Sequence, residues 1–205
     1  MKDRAKEKSR SVLPARDATT PQLHVVIETP KGSRNKFAYD QKLNMFRLKK
    51  VLPLGMVFPF DFGFIPRTLG DDGDPLDVLV LMDAPAFAGC LVEVRWIGVI
   101  EAEQKEKNAW QRNDRLIAVA AESKTHSDVT KLRDLTENVP EEIEHFFTSY
   151  HELGKKPFRA LARRGPRRAK KLVEKGMQEF QLHTPVATPE RDGEIVPYNR
   201  HSNSR

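Results

Sequence analysis

From residue 23 to residue 120 the chain alternates between short runs rich in Val, Ile, Leu and Phe and polar clusters holding Gly, Pro, Asn and Asp, the pattern of successive β-strands and turns. Leu23 to Thr29 (LHVVIET) is β-branched and compact. After the turn PKGSRN, Lys36 to Tyr39 and Met45 to Lys49 read as shorter strands. VFPFDFGFIPRTLGDDGDPLDVLVLMDAP follows, then the long run LVEVRWIGVIEAEQ, a polar loop KEKNAWQRN and one more strand, RLIAVAA. Past residue 125 the period changes. Pro140 opens a helix, PEEIEHFFTSYHEL, with Ile143, Phe146, Phe147, Tyr150 and Leu153 at helical spacing and acids in the first turn. FRALARRGPRRAKKLVEKGMQEF reads partly as a second helix starting at Pro166, with Leu172, Val173, Met177 and Phe180 on one stripe. Strands followed by two helices predict a mainly β fold of the α+β class, a small barrel with helices packed outside it. Residues 1–20 read as a mobile basic arm, 21–182 as one domain and 183–205 as a Pro-rich polar tail.

Charge sharpens this division. The net charge of +6 is made of +4 over residues 1–16, +9 over 155–175, −1 over 176–205 and −6 over the stretch 17–154. The body is acidic and the basicity peripheral. The +9 segment could hold nucleic acid through phosphates, but no aromatic interleaving, helix-turn-helix or knuckle pattern accompanies it, so a solvated basic face or a wall of an anionic site is the better reading. No window approaches eighteen uncharged apolar residues, which argues against a membrane span. The single cysteine, Cys90, cannot form an internal disulfide; with no signal-like apolar run after MKDRAKEKSR, a cytoplasmic location is expected, and the thiol reads as buried and inert.

Candidate chemistry concentrates in Asp71-Asp72-Gly73-Asp74-Pro75-Leu76-Asp77, four carboxylates in seven residues. A plain turn does not need so many, and packed together they repel unless a cation sits among them. Val78 to Met82 is apolar at both parities, as in a strand buried on both faces, so Asp77 stands at the mouth of a dry strand. Extended geometry would set Asp72 and Asp74 on one side, with Pro75 fixing how Asp77 swings in beside them. Converging carboxylates suit a hard divalent ion, magnesium or manganese. An EF-hand starting at Asp72 fails, since Asp77 occupies the position that needs Gly and Asp83 the position that needs Glu. Lys36, Lys49, Lys50 and Arg115 form a candidate cationic set, and an acidic metal site among cations implies a metal–phosphate pocket. The six histidines are dispersed, with no HExxH pair, and no GxSxG, P-loop or GxGxxG occurs.

Asp72-Gly73-Asp74-Pro75-Leu76-Asp77-Val78 resembles the DxDPxD signature of the family I soluble inorganic pyrophosphatases. Val25 to Glu28, Lys36, Phe58 to Ile65, Leu91 to Ile100 and His145 to Tyr150 fall in that family's order, over roughly residues 22–155. The resemblance implies a five-stranded OB-like barrel with flanking helices, hydrolysis of pyrophosphate to two phosphates with several Mg²⁺ ions (Mn²⁺ as a substitute), and a homo-oligomer. It implies Asp72 and Asp77 as metal ligands with Glu28 an outer acidic residue near the metals, Asp74 as the base acting on a metal-activated water, and Lys36, Lys50, Arg115 and Tyr150 as phosphate contacts. The outer shell departs from the pattern. Ala38 stands for an acid, Lys50 for an Arg, Phe58 and Phe62 for tyrosines, Gln104 and Asn113 for aspartates and His151 for a Lys, with Glu103 a candidate replacement for the first lost aspartate. These changes keep two other readings open: hydrolysis of another phosphoanhydride or an organic phosphate, and a non-catalytic phosphate or polyanion binder.

Overall fold

The computed structural model describes residues 14–15, 22–136 and 138–183. Five strands close a barrel: β1 (Leu23–Thr29), β4 (Asp61–Phe64), β5 (Asp77–Leu81), β8 (Arg115–Ala120) and β6 (Leu91–Glu106), with β6 returning to pair with β1. All neighbours are antiparallel except β5 and β8, which run parallel with Val78 opposite Leu116. A separate hairpin, β2 (Asn35–Asp40) and β3 (Met45–Val51), stands beside the barrel. The helices α1 (Asn138–Glu152) and α2 (Pro166–His183) pack on it. No described helix is long and apolar enough to cross a membrane.

The double parity of Val78–Leu81 has the expected cause. Leu79 and Leu81 enter one apolar cluster with Phe62, Ile117, Ile143 and Phe147 of α1, while Val78 and Val80 enter another with Val25, Leu116, and Ala169 and Val173 of α2. Each such fully buried side chain contributes about 1.5–3 kcal/mol relative to exposure. One helix therefore covers each face of the strand that ends in the aspartates.

Two segments differ from the sequence expectation. The polar loop KEKNAWQRN contains a strand, β7 (Ala109–Arg112), paired with the far end of β6. FRALARR, which precedes the expected helix start at Pro166 and carries no element in the sequence reading, is β9 (Phe158–Arg164), antiparallel to β6. Both lie at the sheet margin, β9 with most of its residues exposed and β7 with none buried, so neither carries a buried apolar alternation. Charge pairs and stacking hold them: Arg159–Glu103 at 2.9 Å, Arg164–Glu101 at 3.1 Å, and the Arg159 guanidinium 4.1 Å from the Trp110 ring. Gly98 lies at a bulge in β6 against β8 and also faces β9; a Cβ there would come within 2.4 Å of the Arg164 carbonyl, so only glycine fits. The helix α1 begins at Asn138, and Pro140 lies buried in its first turn. Cys90 is half-buried in the turn before β6 rather than inside a strand. Of the basic arm, Pro14 and Ala15 dock on β1 through His24, and the rest of the arm and the tail beyond His183 lie outside the described residues.

Candidate active site

The aspartate segment is a turn rather than an extended strand. Gly73 has φ +84°, the Gly70 amide donates to the Asp74 carbonyl at 2.7 Å, and the Asp74 amide donates to Asp72 Oδ1 at 3.2 Å. Folding back brings the carboxylates within electrostatic reach. Burial, then the charges of Asp77 and Asp74, push the Asp72 carboxyl above its ordinary value, with Arg115 pulling the other way. The repulsion inferred from composition is thus present in the fold.

The helix α2 backs this turn from the far end of the chain. The Leu69 amide donates to the Gly176 carbonyl at 2.9 Å, Lys175 pairs with Asp71 at 2.7 Å, and Leu76 fills the notch that Gly176 leaves open. A cavity of about 50 Å³ between turn and helix is lined by Asp72, Asp77, Asn113 and Lys175 among others. A larger one, about 550 Å³ near Leu132, Arg163 and Pro166, is lined by none of the candidate residues.

Asp77 and Arg115 open the parallel strands β5 and β8, one step before the Val78–Leu116 pair, and Arg115 Nη1 donates to Asp77 Oδ2 at 2.6 Å. The guanidinium is almost wholly buried, also donates to Asn113 Oδ1 and the Asp114 carbonyl, and lies 4.8 Å from the Phe147 ring. The cation called for at the mouth of the dry strand is therefore supplied from within the chain.

Lys36 and Lys50 sit directly opposite each other on the β2–β3 hairpin, beside a bulge. Like charges so placed repel; Lys36 is balanced by a carboxylate, whereas Lys50 meets an aromatic ring and a carbonyl, which carry no net charge. Lys36 pairs with Glu28 at 3.0 Å and rests 4.0 Å from the Phe62 ring; Lys50 lies 4.5 Å from the Tyr150 ring and 3.5 Å from its carbonyl oxygen. Lys49, on the opposite parity, is exposed and does not join them. Glu28 uses both oxygens within the chain, the second accepting the Tyr39 amide at 2.7 Å. Tyr150 is pushed above its ordinary pKa chiefly by burial, with Arg115 opposing and Asp77 and Glu28 reinforcing the shift, which links hydroxyl, acids and cations as one cluster.

The substituted positions have physical roles. Phe58 and Phe62 are buried beneath Lys36, 5.6 Å apart, and Phe58 meets Tyr150 at 5.9 Å, so rings without hydroxyls form a dry floor. Glu103 is bound to Arg159 and Gln104 to Glu106, while Asp114 is turned to the Ala102 amide and to Arg112. None of the three has a hydrogen bond or ion pair to Asp72 or Asp77. The sequence marks His151 only as a substituted outer position and the basic segment only as a possible wall; the contact of His151 with Arg115 and that of α2 with the aspartate turn emerge from the fold.

Residues 25–181 match the inorganic pyrophosphatase family. The chain belongs to it. The inorganic pyrophosphatase of Synechocystis is 37% identical over 159 residues, covering 78% of this chain and 92% of its own. That of Thermus thermophilus is 41% identical over 141 residues, covering 69% of this chain and 78% of its own. The crystal structure of the Thermus thermophilus inorganic pyrophosphatase superposes with a TM-score of 0.77 at 36% identity, covering 83% of this chain and 98% of that one; the Helicobacter pylori inorganic pyrophosphatase gives 0.76 at 32%, with 84% and 99% covered. The pyrophosphatase resemblance and the barrel with flanking helices are thereby borne out.

The family implies a divalent metal, and the donor set fits one. Among the described residues no three His, Cys, Asp or Glu side chains form a ready cage. Magnesium does not require one, since it is commonly held by one or two carboxylates together with substrate phosphate and water. Asp72 and Asp77 line one small cavity, and the charges of Asp77 and Asp74 on Asp72, offset only in part by Arg115, are ones a dication would neutralise.

Proposed function

We propose that the chain hydrolyses inorganic pyrophosphate to two phosphates in the cytoplasm, with magnesium as the divalent ion and manganese as a substitute. The observation carrying this reading is the junction at Tyr150, which feels Asp77, Arg115 and Glu28 and lies beside Lys50, so that the acidic turn of Asp72, Asp74 and Asp77 and the Lys36–Lys50 pair belong to one cluster. Asp72 and Asp77 would hold the metal, which when bound lowers the pKa of water and screens phosphate charge. Lys36, Lys50 and the Tyr150 hydroxyl bind phosphate oxygens, and Arg115, fixed to Asp77, adds its charge to the same side. Asp74 accepts a proton from the water that attacks one phosphorus. The new P–O bond forms as the bridging P–O bond breaks, and the electron pair leaves on the departing phosphate, which the cations stabilise. The dry aromatic floor under Lys36 strengthens each of these charge interactions by excluding water.

The test is phosphate release by purified protein with Mg²⁺ and pyrophosphate, beside Asp74→Asn. The substitution should lower kcat by about 10²–10⁴-fold, the range for removing a positioned base. Wild-type release no greater than that of Asp74→Asn would overturn the reading.

A further inference from the structure

His151 follows Tyr150 in α1 and is buried. Its ring stacks on Phe158 at 5.0 Å with the planes 8° apart and meets Tyr150 edge-on at 5.2 Å. Packing alone would be served by phenylalanine, which brings no ring nitrogens to desolvate. What the imidazole adds is a lone pair: Nε2 lies 3.4 Å from Arg115 Nη2. The guanidinium has five N–H groups. Nη1 serves Asp77, Asn113 and the Asp114 carbonyl; Nη2 has His151 as its acceptor; Nε, buried on the same edge as Nη2, has none. Arg115 from β8, Lys50 from β3 and Lys156 from the loop after α1 surround the ring with positive charge. Together with burial, the larger cause, they lower its pKa to about 3, so the ring is neutral at physiological pH. In the tautomer carrying hydrogen on Nδ1, it can only accept at Nε2; an ammonium or a protonated imidazole there would repel the guanidinium.

We propose that His151 is a positioning residue, accepting a hydrogen bond from Arg115 Nη2 so that the guanidinium, held on its other side by Asp77 and Asn113, keeps the orientation in which it aims Asp77 and faces phosphate. The kinetic consequence rests on the pyrophosphate reading; the geometry does not.

Two measurements separate them. In ¹⁵N-histidine-labelled protein, two-bond ¹H–¹⁵N spectra should show His151 protonated at Nδ1 and bare at Nε2, unchanged between about pH 5 and 8. Hydrogen on Nε2, or titration of the ring within that range, would overturn the inference whatever the protein hydrolyses. In steady-state assays His151→Phe should lower kcat/KM for pyrophosphate about tenfold, the scale for losing a residue that orients a binding group, mostly through KM and without a lower urea midpoint. His151→Gln, which restores an acceptor, should stay within about threefold of wild type. An undiminished Phe variant, or a Gln variant as impaired as Phe, would refute it. Wild-type protein that releases no phosphate would count against the pyrophosphate reading instead, and the spectra would then decide the role of His151.

Discussion

Glu28 and Lys36 join the barrel to the hairpin through an ion pair of 3.0 Å whose side chains are only 11% and 12% exposed. At that separation two charges attract by about 1.4 kcal/mol in bulk water and about 5.5 kcal/mol at an effective dielectric constant near 20. Desolvation takes back several kcal/mol, which leaves a net coupling of about 2–3 kcal/mol, well above the ~0.2–1 kcal/mol of exposed pairs. A double-mutant cycle isolates it. Glu28→Gln keeps an acceptor for the Tyr39 amide, and Lys36→Met keeps the stem against Phe62, so each change removes charge and little else. Each single variant should lose about 3 kcal/mol in urea unfolding at pH 7, because it strands a largely buried charge. The double variant should lose clearly less than their sum. A coupling below about 0.5 kcal/mol, or one abolished by about 0.5 M salt, would mean that water screens the pair and that the site is not the dry cleft described.

Acid should expose His151 in a second way. Its native pKa of about 3 lies below the ordinary 6.5, so between those values the unfolded chain binds a proton that the native state refuses, and stability falls as pH drops through 6.5. The loss from this residue by pH 5 is about 2 kcal/mol, read as the pH dependence of the difference between wild-type and His151→Gln urea midpoints; a constant difference from pH 7.5 to 5 would contradict it. Gly63→Ala would drive a Cβ to 2.1 Å from the Val26 carbonyl, so a loss of about 3 kcal/mol or more, or no folded yield, is expected, and a wild-type midpoint would show that β1 and β4 can part there. Phe147→Leu keeps most of the volume yet removes the ring beneath Arg115, and should cost about 1–3 kcal/mol; a loss no larger than that of Ile143→Leu in the same cluster would deny the ring its cation–π role.

The parts of this structure legible in the sequence are those coded locally. Val78–Leu81 shows its two buried faces in four consecutive residues, and α1 shows its stripe in Ile143, Phe147 and their neighbours. The acidic turn announces itself because repulsion is a property of composition at short range, although its folded-back geometry hung on Gly73. What stayed hidden depends on partners distant in the chain. β7 and β9 carry arginines and a tryptophan whose reasons for being strands lie on β6, and Lys49 could be told from Lys50 only once the hairpin register was known. A neutral histidine among three cations reads as dispersed until β8 and α1 are brought together.

Asp77 and Arg115 sit side by side because β5 and β8 run in the same direction, and strands so arranged cannot be joined by a tight turn. The thirty-seven residues between them include β6, which pairs with β8 on one side and with β1 on the other and so seals the ring. The carboxylate and guanidinium at the heart of the cleft therefore meet only when β8 has docked on β5 across that long connection. A nascent or half-unravelled chain carries the residues of a hydrolase without being one, and activity itself becomes a sensor of completed closure.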